Sequence, residues 1–243
     1  MKMNFSKMFL VFFTMLLCGL KNHTYAEINQ EYFDEIEKMK AYFSAEKLSV
    51  SILYKVYTQT GNVLLDDKTG NYEKSGSTYK YTLGQITILQ DDKWNLYINT
   101  EEKLMAVKEK DEKSMSAIMS FDEATLGCET LSRREKDGNL VYTLTFKTPV
   151  SKVYSNVELI ADKSSLKPKK IIFYYAQTTT QTDAGGTLYN DKLRFEITYL
   201  ELDNKVQEKF STSGYLKEQG DKLTPSSKYS DYQLIDQRTS NLK

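Results

Sequence analysis

From Leu48 onward the apolar residues fall on every second position: Leu48, Val50, Ile52, Tyr54 and Val56 share one side, opposite Ser49, Ser51, Lys55 and Tyr57. Successive side chains of a strand point to opposite faces, so this period of two predicts a strand buried on one face. The same period returns along the chain. Tyr79, Tyr81 and Leu83 are followed by Ile86 and Ile88 with the parity shifted by one, which predicts a bulge at Gly84. Trp94, Leu96 and Ile98 follow an Asp91-Asp92 turn, and Leu104 to Val107 follow a turn over Asn99 to Glu102. Further strands are expected around Leu140 to Phe146, Val153 to Leu159, Ile171 to Ala176, Leu193 to Tyr199 and Tyr232 to Asp236. Thr60-Gly61-Asn62 reads as a turn into Val63 to Leu65, and Asp66 to Gly70 as a second turn.

Two stretches depart from that period. Ile28, Tyr32, Phe33, Ile36, Met39, Tyr42 and Phe43 recur at helical spacing and predict an amphipathic N-terminal helix. Between Asp111 and Cys128, Met115, Ile118, Met119 and Leu126 do the same, with Ser120 and Glu123 in capping-box spacing and Gly127 at a helix end. Short, turn-like connections select antiparallel pairing over helical crossovers. The expected class is α+β: one large curled antiparallel sheet covered by the N-terminal helix and a short mid-chain helical lid. So little helix cannot lid so large a sheet, which must curl around either a packed interior or a cavity.

The first 26 residues carry the order of a secretory signal. Lys2 and Lys7 precede an apolar run from Phe9 to Leu17 broken only by Thr14, and Thr24-Tyr25-Ala26 supplies the cleavage site. The run is too short to span a bilayer. Periplasmic export with cleavage after Ala26 is the expectation, leaving residues 27–243 as one domain. The alternative is a membrane-anchored lipoprotein through Cys18, against which stands the bulky Leu17 before it.

With the leader removed, composition excludes several functions. The one His of the chain, His23, leaves with it, and with it the commonest general base and metal ligand. Cys128 is then alone and can form no intramolecular disulfide. Basic and acidic side chains number 33 each in the whole chain, with no long basic run, so no nucleic-acid partner is expected. There is no G-x-S-x-G elbow, phosphate-binding glycine loop, H-E-x-x-H or C-x-x-C pair, and neither cofactor nor metal nor enzymatic activity is expected. Asp66-Asp67 and Asp91-Asp92 read as turn residues, with a calcium site or a carboxylate pair as the competing reading. Trp94 and the tyrosines, 18 in all, suit either hydrophobic packing or stacking on sugar rings. Met115 and Met119 suit either helix-to-sheet packing or an adaptable apolar gate.

The order of these elements resembles the periplasmic lipoprotein carriers, the LolA/LolB-like half-barrels. The resemblance rests on the N-terminal helix, the strand Leu48 to Val56, the stretch Gly70 to Tyr81, and the run from Ile86 through Asp91-Asp92, Trp94 and Tyr97 to Asn99, followed by Glu101 to Val107. It covers residues 30–110 and is architectural beyond. It implies a half-open barrel whose apolar cavity takes lipid or lipoprotein acyl chains, in a monomer with an envelope protein as a possible partner. Ile52, Tyr54, Tyr81, Trp94 and Leu96 would line the cavity, and Met115, Ile118 and Met119 the lid. The carriers' lid-tethering arginine falls near Lys74, and no Arg precedes Arg133. Lysine lacks the planar fork of donors that an arginine brings. The competing expectation is an envelope interaction module with a packed core and no ligand.

Overall fold

The computed structural model describes residues 29–110, 128–146, 153–203, 205–206 and 209–238. Among these residues one α-helix, α1 (Gln30–Ala41), precedes the strands β1 (Lys47–Thr58), β2 (Leu64–Ser75), β3 (Thr78–Leu83), β4 (Ile86–Gln90), β5 (Trp94–Asn99) and β6 (Leu104–Glu109). After these come β7 (Cys128–Lys136), β8 (Asn139–Phe146), β9 (Tyr154–Asp162), β10 (Pro168–Thr182), β11 (Leu188–Asp203), β12 (Leu216–Gln219), β13 (Lys222–Pro225) and β14 (Gln233–Asp236). Twelve strands form one sheet in the order β14-β6-β5-β4-β3-β2-β1-β11-β10-β9-β8-β7, and β12 pairs with β13 alone. β7 and β14 are the two ends of that order, so the sheet is left unclosed, as in the half-barrel class of α+β proteins.

β1 alternates as its sequence predicts, with Leu48, Val50, Ile52, Tyr54 and Val56 all buried. α1 buries Ile36 and Met39 at the spacing of one turn, and Asn29 Oδ1 accepts from the Glu31 amide before it. The expected bulge at Gly84 is instead a hairpin turn. Leu83 pairs directly with Ile86, leaving only Gly84 and Gln85 to reverse the chain. Directly paired residues point to the same face, so the turn itself produces the parity shift. Gly84 has φ +54°, the left-handed conformation that a tight hairpin asks of its first turn residue.

The expected turn at Asp66 to Gly70 is also absent, because these residues lie inside β2. Gly70 is there for close approach: a Cβ at that position would sit 2.8 Å from the Thr82 carbonyl oxygen on β3. Three further features were not expected. Cys128, read as following a helix, opens β7. The short pair β12 and β13 gives one buried leucine each, Leu216 and Leu223. β14 joins β6 in parallel rather than antiparallel register.

The chain divides into two compact units. The first lies within Met1–Lys40, Lys55–Asp66 and Met115–Glu196, the second within Ala41–Tyr54, Asp67–Ser114 and Ile197–Lys243.

Candidate functional site

In the second unit the strand register sorts the side chains of β2 to β6 onto two faces. Tyr72 pairs with Tyr81, Tyr81 with Ile88, Ile88 with Tyr97 and Tyr97 with Ala106. This row shares a face with the next but one, in which Lys74, Tyr79, Gln90, Asn95 and Lys108 are aligned. The Tyr81 hydroxyl donates to the Tyr54 oxygen at 3.2 Å, which puts Tyr54, and Ile52 two residues before it, on the same side. We call it the tyrosine face.

On the opposite face Lys80, Leu89, Leu96 and Val107 are aligned. Leu96, Ile98, Met105 and Val107 pack there with Leu216 and Leu223, and Trp94 lies against the same cluster with the Arg238 guanidinium 5.1 Å from its ring centroid. Arg238 is fixed by both oxygens of Asp236 and by the Asp221 carbonyl. The sheet therefore separates the expected ligand residues: Ile52, Tyr54, Tyr81 and Lys74 share one face, whereas Trp94 and Leu96 pack on the other. Met115, Ile118 and Met119 lie outside the described residues.

The polar row of the tyrosine face is internally satisfied at its centre. Asn95 Nδ2 donates to the Tyr79 hydroxyl at 2.7 Å and to Gln90 Oε1 at 3.1 Å, and Gln90 Nε2 donates to the Ser77 carbonyl at 3.2 Å. Lys74, half-buried at one end of that row, has no hydrogen-bond or ion-pair partner among the described residues. The aromatic part is held neutral by burial. Tyr54 is pushed up to about 12 by desolvation, which outweighs its bond from Tyr81. Desolvation and the nearby Tyr54 hold Tyr81 well above the ordinary phenol value. Tyr199 of β11, also close to Tyr54, is raised by burial in the same way. Its ring lies 5.2 Å from that of Phe43.

Asp91, in the turn from β4 to β5, is a turn ligand. Its Oδ1 accepts from the amides of Lys93 and Trp94, and its Oδ2 from the amide and hydroxyl of Thr212. Partial burial raises its pKa, and these bonds together outweigh that and leave it lowered. Among the described residues no group of three His, Cys, Asp or Glu side chains could hold a metal ion. Among them also, no helix is long and apolar enough to cross a membrane. Cys128 is buried, and desolvation raises its pKa, the reverse of what a thiolate nucleophile needs.

In the first unit two arrangements escape the sequence pattern. Arg133 of β7 donates to Glu35 of α1 at 2.6 Å and to Glu31 at 3.4 Å, with its guanidinium 4.6 Å from the Tyr32 ring centroid. The Tyr142 hydroxyl of β8 donates to the other Glu35 oxygen at 2.8 Å. An arginine thus ties α1 to the sheet. Tyr154, Phe173, Tyr175 and Phe195 form a half-buried aromatic strip across β9, β10 and β11, with ring centroids 5.1 Å, 5.2 Å and 6.2 Å apart along Phe173–Tyr154, Tyr154–Tyr175 and Phe173–Phe195.

No family model matches the sequence, and no curated protein matches it. Among solved structures, the chain is similar to an uncharacterized conserved protein from Thermus thermophilus, at 9% identity and TM-score 0.41, with 85% of this chain and 99% of that one covered. It is similar to a LolA superfamily protein from Nitrosomonas europaea at 12% identity and TM-score 0.33, covering 72% and 94%. A DUF1329 family protein from Desulfovibrio piger gives 11% identity and TM-score 0.40, covering 76% and 95%. A likeness of this degree assigns neither family, ligand nor activity.

Proposed function

We propose that this is an exported, non-enzymatic protein of the cell envelope that holds an apolar ligand, a lipid or a lipoprotein acyl chain, against the tyrosine face of its second unit. Ile52, Tyr54 and Tyr81 make the contact, and Lys74 stands at its polar end. The observation that carries this reading is the difference between the two faces of β2 to β6. One face is closed by Leu216 and Leu223 of the same unit. The other is an unbroken band of aromatic and aliphatic side chains, from Tyr72 to Ala106, bordered by a polar row with a lysine at each end. Four strand spacings of about 4.8 Å make that band roughly 19 Å wide, a length suited to an extended acyl chain. Export rests on the basic start, the short apolar run and the cleavage site before Glu27.

A second reading, an interaction module with a packed interior, is favoured by the complete burial of Ile52 and Tyr81. Titration of the mature protein with Nile red and with a fluorescent fatty-acid methyl ester separates the two. Saturable uptake with a blue-shifted emission is expected of the binding protein. No uptake by a folded sample leaves the packed module standing and removes the binding protein.

A further inference from the structure

Among the described residues the Tyr199 hydroxyl has nothing to donate to. Tyr199 is only 8% exposed, and its oxygen is fully buried without a hydrogen-bond partner. The Tyr81 hydroxyl, by contrast, donates to the Tyr54 oxygen at 3.2 Å. Buried polar groups are rarely left in this condition, because a hydroxyl taken out of water forfeits its hydrogen bond unless another replaces it. In the sheet order β11, which carries Tyr199, lies beside β1, which carries Tyr54, the acceptor from Tyr81 of β3. All three keep their protons throughout the physiological range, so the unmet group is a neutral donor. The complement of a neutral buried donor is a neutral acceptor. A carboxylate or phosphate taken to the same depth would need a cation beside it, and Lys74, the lysine of this face without a partner among the described residues, is aligned with Tyr79 and not with Tyr81.

Resting on the reading of an apolar-ligand protein, we propose that the Tyr199 hydroxyl is the specificity-determining donor of this site, and that it selects an acyl ester by hydrogen bonding to the ester carbonyl oxygen. The alkyl chain then lies along the Tyr72-to-Ala106 band, and the Tyr54–Tyr81 pair borders the carbonyl. Free fatty acid and plain alkane are the disfavoured relatives, the first for its charge and the second for leaving the donor unmet.

Displacement of Nile red from the full mature chain by methyl laurate, laurate and tridecane tests this, with circular dichroism and thermal unfolding as controls for the fold. Wild type is expected to prefer the ester over the alkane by about tenfold, the scale of one hydrogen bond to an otherwise unpaired buried group. Tyr199→Phe is expected to erase that preference while leaving alkane binding unchanged, and to raise the melting temperature of the ligand-free protein by removing the orphaned hydroxyl. Tyr232→Phe, packed against the cluster of the opposite face, is expected to keep the preference. Equal displacement by all three competitors, or a preference that survives Tyr199→Phe, overturns the inference while leaving the apolar-ligand reading intact. Tighter binding of laurate than of the ester overturns the choice of a neutral head. If Nile red does not bind the folded protein, both fall together.

Discussion

Arg133 and Glu35 lie 98 positions apart in the chain, and their pairing shows how much of this molecule is decided by single side chains. Glu35 takes a donor on each carboxylate oxygen, Arg133 on one and Tyr142 on the other. The Arg133 side chain keeps a quarter of its surface in water, so the pair is screened, and a double-mutant cycle between Arg133→Ala and Glu35→Ala is expected to give a coupling of about 1 kcal/mol by urea denaturation. A coupling near zero contradicts the tether. Asp91 works differently, because its pKa is lowered by four bonds that fix a turn. A carboxyl depressed in the folded state contributes stability present above its unfolded pKa of about 3.9 and lost as pH falls through the lower folded value. Asp91→Asn is therefore expected to lower the urea midpoint near neutral pH, and the gap from wild type is expected to close as the pH drops below about 4. A gap that widens in acid contradicts the assignment.

At the scale of elements, the sequence was legible where one face of a strand is buried and the other is wet. β1 could be read residue by residue for that reason, and α1 from the spacing of Ile36 and Met39. β7 was not legible, since it ends the sheet order and its residues after Cys128 are half-buried or exposed, with Arg133, Arg134, Glu135 and Lys136 in sequence. β12 and β13 bury one leucine each, too few for any period to show. The candidate site was half legible. The alternation that found Ile52, Tyr54 and Tyr81 also found Trp94 and Leu96, but pairing register, which no local pattern carries, puts the two groups on opposite faces. Tyr199 was visible as a strand residue, while its unpaired hydroxyl is a property of three strands together.

The two glycines misread as a turn and a bulge give a test at this scale. Gly84→Ala meets only the flexible Lys68 side chain at 3.6 Å, so its cost is the left-handed backbone alone, about 1 kcal/mol. Gly70→Ala forces a Cβ against the Thr82 carbonyl and the Leu83 and Tyr54 side chains, and is expected to cost more, about 1–3 kcal/mol. Equal or reversed losses in urea midpoint contradict the register of β2 on β3.

At the scale of the whole molecule, the proposed function requires export of the chain, an unclosed sheet and an aromatic face with an unmet donor. The first of these is checked by N-terminal sequencing of the protein recovered from the envelope, which is expected to begin at Glu27. A blocked, lipid-modified Cys18 overturns the cleavage after Ala26 and puts the protein on a membrane surface. The binding of an apolar ligand is tested most directly by organic extraction and mass spectrometry of the mature protein purified from its native envelope without detergent. The account predicts acyl lipid recovered in near-equimolar amount from the folded wild type and depleted from Tyr199→Phe. Repeated preparations of folded protein that yield no apolar molecule above the level of a control protein contradict it.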